Sequence, residues 1–292
     1  MNIKDIFGFE GKNVVISGSA SGMSKEATEL LIELGANVYA ADINEITLPV
    51  KSAYRANLGK KEEIDAWIET LPETIDAVFM CHGINGNPSI ANTVLTINFF
   101  SVQYIVARLM DRLSEHASIS IISSCGGYGW QSIYPHVQDL MTASTWEECQ
   151  DWFEKNKDNI AVCNPQSPYG TSKQLINCYV ANKCMDPQFI AKRIRINSIC
   201  PGMTNTGLTD DFNRGAGGGD SKAGAQNIFS VFQSMWNGYN AEAREMGYPL
   251  VVAGSKICSY MSGQNIYVDM GCCTSWDTGA IMNTGTKAPW MK

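Results

Sequence analysis

Residues 12–24 read Lys-Asn-Val-Val-Ile-Ser-Gly-Ser-Ala-Ser-Gly-Met-Ser, a short apolar run followed by a glycine-containing turn. The β-branched run at 12–17 predicts a short buried strand, and the glycines after it predict a tight turn. Beyond the turn, apolar residues recur at the spacing of one helix face: Ala27, Leu30, Leu31 and Leu34. This spacing predicts a helix that follows the turn and ends at Gly35.

The rest of the chain repeats this alternation of short apolar runs and helical patterns. Strands are predicted at 37–41, 53–56, 76–80, 118–122, 195–199 and 266–268, and helices at 62–71 and 89–114. Strands that alternate with helices of this length favour crossover connections within a parallel sheet. We therefore predict an α/β fold of the Rossmann type, a doubly wound parallel sheet in one domain over residues 1–292.

Two stretches depart from the alternation. Residues 128–166 contain a capping box, Ser144-Thr145-Trp146-Glu147, ahead of a predicted helix, and we interpret them as an insertion. Residues 204–240 form a second lobe, rich in large apolar side chains. Within it, the glycine run at 215–219 predicts a mobile loop over 207–225.

Composition excludes several classes of protein. Of 292 residues, 45% are hydrophobic, and 22 basic against 29 acidic residues leave a net charge of −7. Lys and Arg form no cluster along the sequence, so neither nucleic acid nor an anionic membrane surface is an expected partner. No signal peptide is evident, and no apolar run reaches the roughly 18 residues that span a bilayer. The ten cysteines include no Cys-x-x-Cys pair, so we expect reduced thiols, no metal site and a cytoplasmic location.

The turn at 18–24 is a candidate nucleotide site. Glycines allow the backbone to approach a pyrophosphate, which the free N–H groups of a helix N-terminus bind. Asp42 ends the second predicted strand, 20 residues after Gly22. A carboxylate there accepts both hydroxyls of an adenosine ribose and repels a 2′-phosphate, and neither Ser21 nor Ile43 supplies a cation to offset this repulsion. We therefore predict that NAD binds in preference to NADP.

Four polar residues form a candidate set for proton transfer. Tyr169 and Lys173 are four residues apart, so they share one helix face, and an ammonium beside a phenol lowers the phenol's pKa. Such a phenol acts as a general acid or base near neutral pH. Ser124 follows the strand at 118–122, where active-site loops of parallel sheets emerge, and Asn98 stands among apolar neighbours in a predicted helix. Each feature alone is also compatible with a structural role, but together they favour catalysis.

These motifs occur in the order that the short-chain dehydrogenase/reductase family shows, and the chain resembles that family outside 128–166. The motifs that carry the resemblance are the glycine turn, Asp42, Asn98, Ser124, Tyr169 with Lys173, Pro201-Gly202-Met203-Thr204, Gly263-Gln264 and Val268-Asp269. The bacterial 3α-hydroxysteroid dehydrogenase/carbonyl reductase branch carries an insertion at the same point as 128–166, so we compare the chain with that branch in particular.

The resemblance implies a role for each catalytic candidate. Tyr169 would exchange a proton with the substrate oxygen, and Lys173 would lower the pKa of Tyr169 and bind the nicotinamide ribose. Ser124 would hydrogen-bond the substrate oxygen, and Asn98 would hold a water in a proton relay to Lys173. The residues implied to contact the cofactor are Gly18, Ser21, Gly22, Met23, Asp42, Asn57, Leu58, Cys81, Gly83, Tyr169, Lys173, Pro201, Gly202, Thr204 and Thr206.

Four residues depart from the family's pattern. Ser24 replaces the third glycine of the turn, and Asn57 replaces an Asp that contacts adenine. Met270 replaces a frequent glycine. His82 stands within Met80-Cys81-His82-Gly83, where Asn-Asn-Ala-Gly is usual, and we favour a structural role for its ring over a functional one. None of these changes removes a proton-transfer residue.

The composition of the lobe, residues 204–240, predicts the class of substrate. An apolar, Met-containing lobe suits a bulky apolar alcohol or ketone, such as a hydroxysteroid or bile acid, although the same residues would also serve as packing. The candidates that line the substrate are Gly126, Met203, Leu208, Phe212, Phe232 and Trp236. The alternative substrate is a small cyclic or aromatic alcohol or a diol. The alternative function is that of a non-catalytic, NAD-binding regulatory protein. The resemblance also implies a homodimer or homotetramer.

Overall fold

A seven-stranded parallel sheet forms the centre of the computed structural model, which describes residues 2–159, 167–228 and 239–278. The strands, in chain order, are β1 (Asn13–Ser17), β2 (Asn37–Asp42), β3 (Ser52–Arg55), β4 (Ile75–Met80), β5 (Leu113–Ile122), β6 (Arg195–Pro201) and β7 (Gln264–Val268). Across the sheet their order is β3-β2-β1-β4-β5-β6-β7, and each neighbouring pair is parallel. The predicted Rossmann-type α/β fold is therefore confirmed.

The strand order positions the site. The chain leaves β1 toward one edge of the sheet and returns to β4 on the other side of β1, so the order reverses between these two strands. In doubly wound sheets the crevice outside the carboxyl ends of the strands at this reversal is where ligands bind. The turn after β1 and the segment after β4 therefore face one another across a crevice.

Helices cover both faces of the sheet. The α-helices within the described residues are α1 (Ile3–Phe7), α2 (Gly22–Glu33), α3 (Lys61–Glu69), α4 (Ala91–Leu95), α5 (Ser101–Leu109), α6 (Gln138–Met141), α7 (Trp146–Asn156), α8 (Pro168–Lys183), α9 (Pro187–Lys192), α10 (Thr209–Ala216), α11 (Ser221–Ile228), α12 (Ala243–Gly254) and α13 (Cys272–Asp277). A π-helical turn, Thr96–Phe100, joins α4 to α5. None of these helices combines the length and apolarity that crossing a membrane requires.

The strands are apolar on both faces because each face packs on a helical layer. One core cluster joins the sheet to α3, α5, α8 and the insertion, with Trp67, Phe99 and Tyr179 fully buried. A second cluster joins the opposite face to α2 and α12, through Leu31 and Leu250 among others. Parallel sheets buried on both faces show such near-continuous apolar strands, which is why the sequence pattern identified them.

The predicted helix at 89–114 is wrong at its end and in its regularity. The helical segment ends at Leu109, and β5 begins at Leu113 rather than at 118. The pairing of β4 with β5 shifts register between Ile75 and Ala77, so residues 114–117 bulge from the strand, with His116 at a φ of 64°. Polar residues in this bulge hid the strand, because only pairing with β4 defines it.

The insertion packs on the helices that precede and follow it. Trp152 lies 6.5 Å from Phe100, ring centre to ring centre, and Trp146 lies 5.8 Å from Tyr104. The buried side chain of Gln103, in α5, donates to the carbonyl of Leu140 at 2.6 Å. The insertion thus covers the side of α5 that the sheet leaves open.

The predicted capping box lies one residue too early. Helix α7 begins at Trp146, so Thr145 is the N-cap. The Glu148 N–H donates to the hydroxyl of Thr145 at 3.2 Å, and the Glu148 carboxylate accepts from the Thr145 N–H at 2.9 Å. Ser144 and Glu147 also satisfy the sequence pattern, and only the helix start separates the two registers.

The prediction of a loop over 207–225 is also wrong. Helices α10 and α11 occupy most of this stretch and form a hairpin, which Ser221 ties together by donating to Asp210 at 2.8 Å. The turn between them uses Gly218 and Gly219 at φ values of 61° and 107°, which glycine adopts without strain. The glycine run therefore supplies a tight turn between two helices.

Candidate active site

One large cavity opens along the carboxyl edge of the sheet, with a volume of about 1220 Å³. Its wall includes all fifteen residues predicted to contact the cofactor, together with Ser124 and four of the predicted substrate-lining residues. The four are Gly126, Met203, Leu208 and Phe212. Phe232 and Trp236 lie outside the described residues. Asn98 lies directly behind the wall and contacts the segment after β4.

The glycine turn forms one end of the cavity. It connects β1 to α2, and Ser24 lies in the first turn of that helix. The buried Ser24 hydroxyl donates to the carbonyl of Gly18 and lies 3.1 Å from that of Ser21, so the residue in place of the third glycine ties the turn together. Gly22, Met23 and Ser24, the first residues of α2, line the cavity, and the free N–H groups of a helix N-terminus suit an anion.

Asp42 ends β2 beside this turn and is only 7% exposed. Its carboxylate accepts from the N–H of Ala20 at 3.0 Å and from the N–H of Asn44 at 2.8 Å. The two bonds use one lone pair on each oxygen and fix the plane of the carboxylate, so each oxygen can accept one further hydrogen bond. Asn57 lies nearby in the cavity wall, where its side chain accepts from the N–H of Gly59 at 2.9 Å.

The π-helical turn holds Asn98, which is 1% exposed. Its side-chain oxygen accepts from the N–H of Ile84 at 2.8 Å, and its amide donates to the Ile84 carbonyl at 2.9 Å and to the Ser172 hydroxyl at 3.0 Å. Inserted π-turns of this kind occur frequently at functional sites. Asn98 therefore joins the segment after β4 to the helix that carries Tyr169.

Tyr169, Lys173 and Ser124 meet at the other end of the cavity. The Lys173 Nζ lies 5.4 Å from the centre of the Tyr169 ring and donates to the carbonyl of Ile122 at 3.0 Å. The Ser124 side chain makes a hydrogen bond with Tyr169 and also accepts from the N–H of Gly126 at 3.0 Å. The four-residue spacing within α8 and the position of Ser124 after β5 thus bring Tyr169, Lys173 and Ser124 together.

The electrostatics of this end differ from the sequence prediction. Burial raises the pKa of Tyr169 above its usual range, and the hydrogen bond from Ser124 opposes the rise. Burial also lowers the pKa of Lys173 to about 8. We predicted that Lys173 would lower the pKa of Tyr169, but in this structure burial raises that pKa, and the group that opposes the rise is Ser124.

Helix α10 of the lobe covers the end of the cavity that holds Tyr169. The Phe212 ring packs edge-on against Tyr169, with 4.9 Å between ring centres. Pro201 and Gly202 end β6, and Thr204 follows with its hydroxyl donating to the carbonyl of Gly202 at 3.1 Å. Tyr169 thus lies under an aromatic side chain that belongs to helix α10.

Two further residues of the wall were not assigned a function from the sequence. The His82 ring lies between Ser17 and Ser101, at 2.7 and 2.8 Å from their hydroxyls. Arg214 reaches the wall from α10 and pairs with Asp210 and Asp211. His82 already stood out as a departure from the family motif, whereas no local pattern indicates Arg214.

Met270 and the cysteines have structural settings. Met270 adopts a φ of 55°, in the left-handed region that favours glycine. Cys125, Cys272 and Cys273 are buried in a small cluster beside β7. Among the described residues, no group of three His, Cys, Asp or Glu is arranged to hold a metal ion.

Comparisons with known proteins agree with this geometry. A family model described as enoyl-(acyl carrier protein) reductase matches residues 158–273. A coniferyl-alcohol dehydrogenase from Pseudomonas sp. is 24% identical over 265 residues, 91% of this chain and 98% of that protein.

Solved structures share the fold. The 3-alpha-hydroxysteroid dehydrogenase from Pseudomonas sp. B-0831, complexed with NADH, aligns with a TM-score of 0.68 and 19% identity, covering 93% of this chain and 100% of that one. The ligand-free aldohexose dehydrogenase of Thermoplasma acidophilum aligns with a TM-score of 0.70 and 16% identity, covering 97% and 100%. In its fold, its site and these matches, the chain is similar to short-chain dehydrogenases and reductases.

Proposed function

We propose that the protein is an NAD(H)-dependent oxidoreductase that interconverts a secondary alcohol and a ketone. The observation that carries the proposal is one continuous cavity, which joins Asp42 at one end to Tyr169 and Lys173 at the other. A site of this form holds a long cofactor and brings one end of it to a proton donor. Enzymes that move a hydride and a proton together require that arrangement.

The residues present fit NAD. Single-ligand pockets usually measure roughly 300–1,000 Å³. The cavity here, about 1220 Å³, exceeds that range and has room for a cofactor with a substrate. The glycine turn would hold the pyrophosphate, and Asp42 would hold the adenosine ribose. When bound, NAD supplies the hydride acceptor.

Asp42 also supports NAD over NADP. The lysines and arginines of the described cavity wall are Lys173, at the catalytic end, and Arg214, which is paired with two carboxylates. Ile43, directly after Asp42, is exposed and uncharged. A 2′-phosphate at this end would therefore face an uncompensated carboxylate, which disfavours it.

The protein's own residues would handle the proton. In the reducing direction the protonated Tyr169 donates to the substrate oxygen, which Ser124 also hydrogen-bonds. The ammonium of Lys173 stabilises the phenolate that this transfer leaves, and in the oxidising direction the phenolate accepts the proton of the alcohol. Gly83 lies beside both Asn98 and Lys173, since a Cβ there would lie 3.2 Å from Oδ1 of Asn98 and 3.8 Å from Nζ of Lys173. A water held beside Gly83 would link Lys173 to Asn98.

The lobe supports an apolar substrate. Met203, Leu208 and Phe212 face the cavity beside Tyr169, and Gly126 borders the Tyr169 ring without a side chain. A bulky apolar alcohol, such as a hydroxysteroid or bile acid, fits this lining. The structural neighbour from Pseudomonas sp. B-0831 is a 3-alpha-hydroxysteroid dehydrogenase.

An aromatic alcohol is the second candidate. Phe212 packs edge-on against Tyr169 and lines the cavity, so an aromatic substrate would meet an aromatic wall beside the phenol. The relative that aligns over 91% of the chain is a coniferyl-alcohol dehydrogenase, whose substrate carries such a ring. Aromatic rings prefer this edge-to-face packing, so a ring-bearing substrate would gain from Phe212.

A substrate panel tests the proposal. Purified protein with NAD is offered hydroxysteroids, bile acids, aryl allylic alcohols, and small cyclic alcohols and diols, and NADH is followed by its absorbance, with NADP in parallel. We expect NAD-linked turnover of a ring-bearing alcohol and much weaker turnover with NADP. Activity on small alcohols alone would make the lobe a packing feature.

The panel also separates catalysis from binding. NAD binding, measured by calorimetry, without turnover of any compound would contradict the proposed activity and favour an NAD-binding regulatory protein. We further propose that the protein is cytoplasmic and forms a homodimer or homotetramer. Light scattering of the purified protein measures the assembly.

A further inference from the structure

The ring of His82 joins two buried serines that are far apart in the sequence. Nδ1 lies 2.7 Å from the hydroxyl of Ser17, in β1, and Nε2 lies 2.8 Å from the hydroxyl of Ser101, at the start of α5. Both serines are fully buried. The ring therefore forms a bridge from the central strand to the helix that continues the π-helical turn.

The bonds around Ser101 fix the direction of the protons. The Ser101 hydroxyl lies 2.7 Å from the carbonyl of Ile97, to which it can only donate. A hydroxyl has one proton, so Ser101 must accept from His82. The proton on the His82 ring is therefore on Nε2.

The other side of the ring is consistent with this assignment. In a neutral imidazole with its proton on Nε2, Nδ1 accepts, so the Ser17 hydroxyl donates to it. The Ser17 oxygen in turn accepts from the N–H of Cys81 at 3.1 Å. A charged ring would need Ser17 to accept from Nδ1 as well and to turn its proton to the Phe79 carbonyl, 3.4 Å away.

The bridge ends at the turn that carries Asn98. Ile97, the last acceptor, immediately precedes Asn98, while Ile84, two residues after His82, exchanges both amide bonds with the Asn98 side chain. On its other side the backbone of His82 supports the glycine turn, because a Cβ on Gly18 would lie 2.7 Å from the His82 nitrogen. His82 thus contacts both parts of the site.

We propose that His82, neutral and with its proton on Nε2, is a positioning residue that holds the π-helical turn, and hence Asn98, in register with Lys173. The kinetic consequence rests on the proposed dehydrogenase activity, whereas the tautomer does not. Burial, followed by the charge of Lys173, lowers the pKa of His82 to about 3, which agrees with a neutral ring.

Nuclear magnetic resonance of the whole protein labelled with ¹⁵N-histidine tests the tautomer directly. The chain has three histidines, and the His116→Ala and His136→Ala variants assign the signals. We expect a neutral ring protonated on Nε2, with no titration between about pH 5 and pH 8. A ring protonated on Nδ1, or one that charges in this range, would overturn the proposal.

Matched variants test the positioning role. An Asn amide reaches the place of Nδ1 and keeps the Ser17 bond, whereas a Gln amide reaches the place of Nε2 and keeps the Ser101 bond. We expect His82→Gln to retain most of kcat. His82→Asn and Ser101→Ala should lower kcat by up to about 100-fold, the scale of a displaced catalytic group, with little change in KM for NAD. His116→Ala, whose side chain is 62% exposed, is the control.

The outcomes separate this inference from the proposed function. A purely structural role would lower thermal stability and raise KM together, or affect the Gln and Asn variants alike, and either result would overturn the positioning role. If the unmodified protein oxidises no alcohol, the proposed function fails. The tautomer of His82, measured by nuclear magnetic resonance, then still tests whether the hydrogen bonds from Ser17 through His82 to Ser101 exist.

Discussion

The carboxyl edge of the sheet and the lobe of α10 and α11 face one another across the same cavity, but they hold their residues differently. At the sheet edge Asp42, Asn98 and Lys173 are 7%, 1% and 3% exposed, and each is held by backbone hydrogen bonds. On the lobe the side chain of Arg214 is 54% exposed and pairs with exposed carboxylates, and such surface pairs contribute little. This difference fits the proposal that the sheet edge carries the chemistry and that the lobe selects the substrate.

The largest expected effect is at the sheet edge. Tyr169→Phe removes the phenol that exchanges the proton and should lower kcat by about 10²–10⁴-fold, the usual contribution of a general acid or base. Kd for NAD should stay unchanged, because the ring and its packing on Phe212 remain. Steady-state kinetics and calorimetry measure the two. Turnover equal to that of the unmodified protein would contradict the mechanism.

Asp42 offers the next largest effect. Asp42→Ala removes a buried charged acceptor, and hydrogen bonds to charged groups contribute roughly 1.5–3 kcal/mol, so KM for NAD should rise by about 10- to 100-fold. Ile43→Arg should leave NAD use nearly unchanged and improve NADP use, since it supplies the missing cation. The ratio of kcat/KM for the two cofactors is the readout. An unchanged ratio in both variants would exclude Asp42 from cofactor selection.

Lys173 links the site to stability. Its pKa falls from 10.5 to about 8 by burial, so the folded protein carries an unfavourable charge at neutral pH. Lys173→Met should therefore raise the free energy of unfolding by about 1–3 kcal/mol at neutral pH, while turnover falls.

The stability gained in the Lys173→Met variant depends on pH. Below pH 8 the buried Lys173 is charged in the folded protein, and this charge lowers the free energy of unfolding by its full amount. Between pH 8 and 10.5 the folded protein releases the proton while the unfolded chain keeps it, so the loss of stability becomes smaller as pH rises. Urea titrations of both proteins across this window measure the difference, and a gain that grows with pH would contradict the assignment.

The smallest effect is expected on the lobe. Phe212→Ala should lower kcat/KM for a ring-bearing alcohol by roughly 2- to 10-fold, the value of an aromatic pair, and leave a small alcohol unaffected. Leu208→Ala is the matched control that removes apolar area without a ring. A loss of kcat on every alcohol, comparable to that of Tyr169→Phe, would contradict the proposed difference in role between the lobe and the sheet edge.

The sequence predicted the site better than it predicted the lobe. Tyr169 and Lys173 share a face because four residues make about one helical turn, and Asp42 ends a strand whose pattern is local. The lobe has no such periodicity, so its glycine run indicated a loop although it joins two helices. The capping box of α7 was displaced by one residue because two registers satisfy the same pattern.

The sequence alone identified the strands of the parallel sheet, the glycine turn with the helix after it, and the residues that meet at the carboxyl edge of the sheet. These features follow from side-chain periodicity, which neighbouring residues alone produce. The tertiary structure alone sets the hydrogen bonds of the His82 ring, which reach Ser17, 65 residues away, and Ser101, 19 residues away. It also decided the start of β5 and the raised pKa of Tyr169, because strand pairing and burial depend on residues that are distant in the chain.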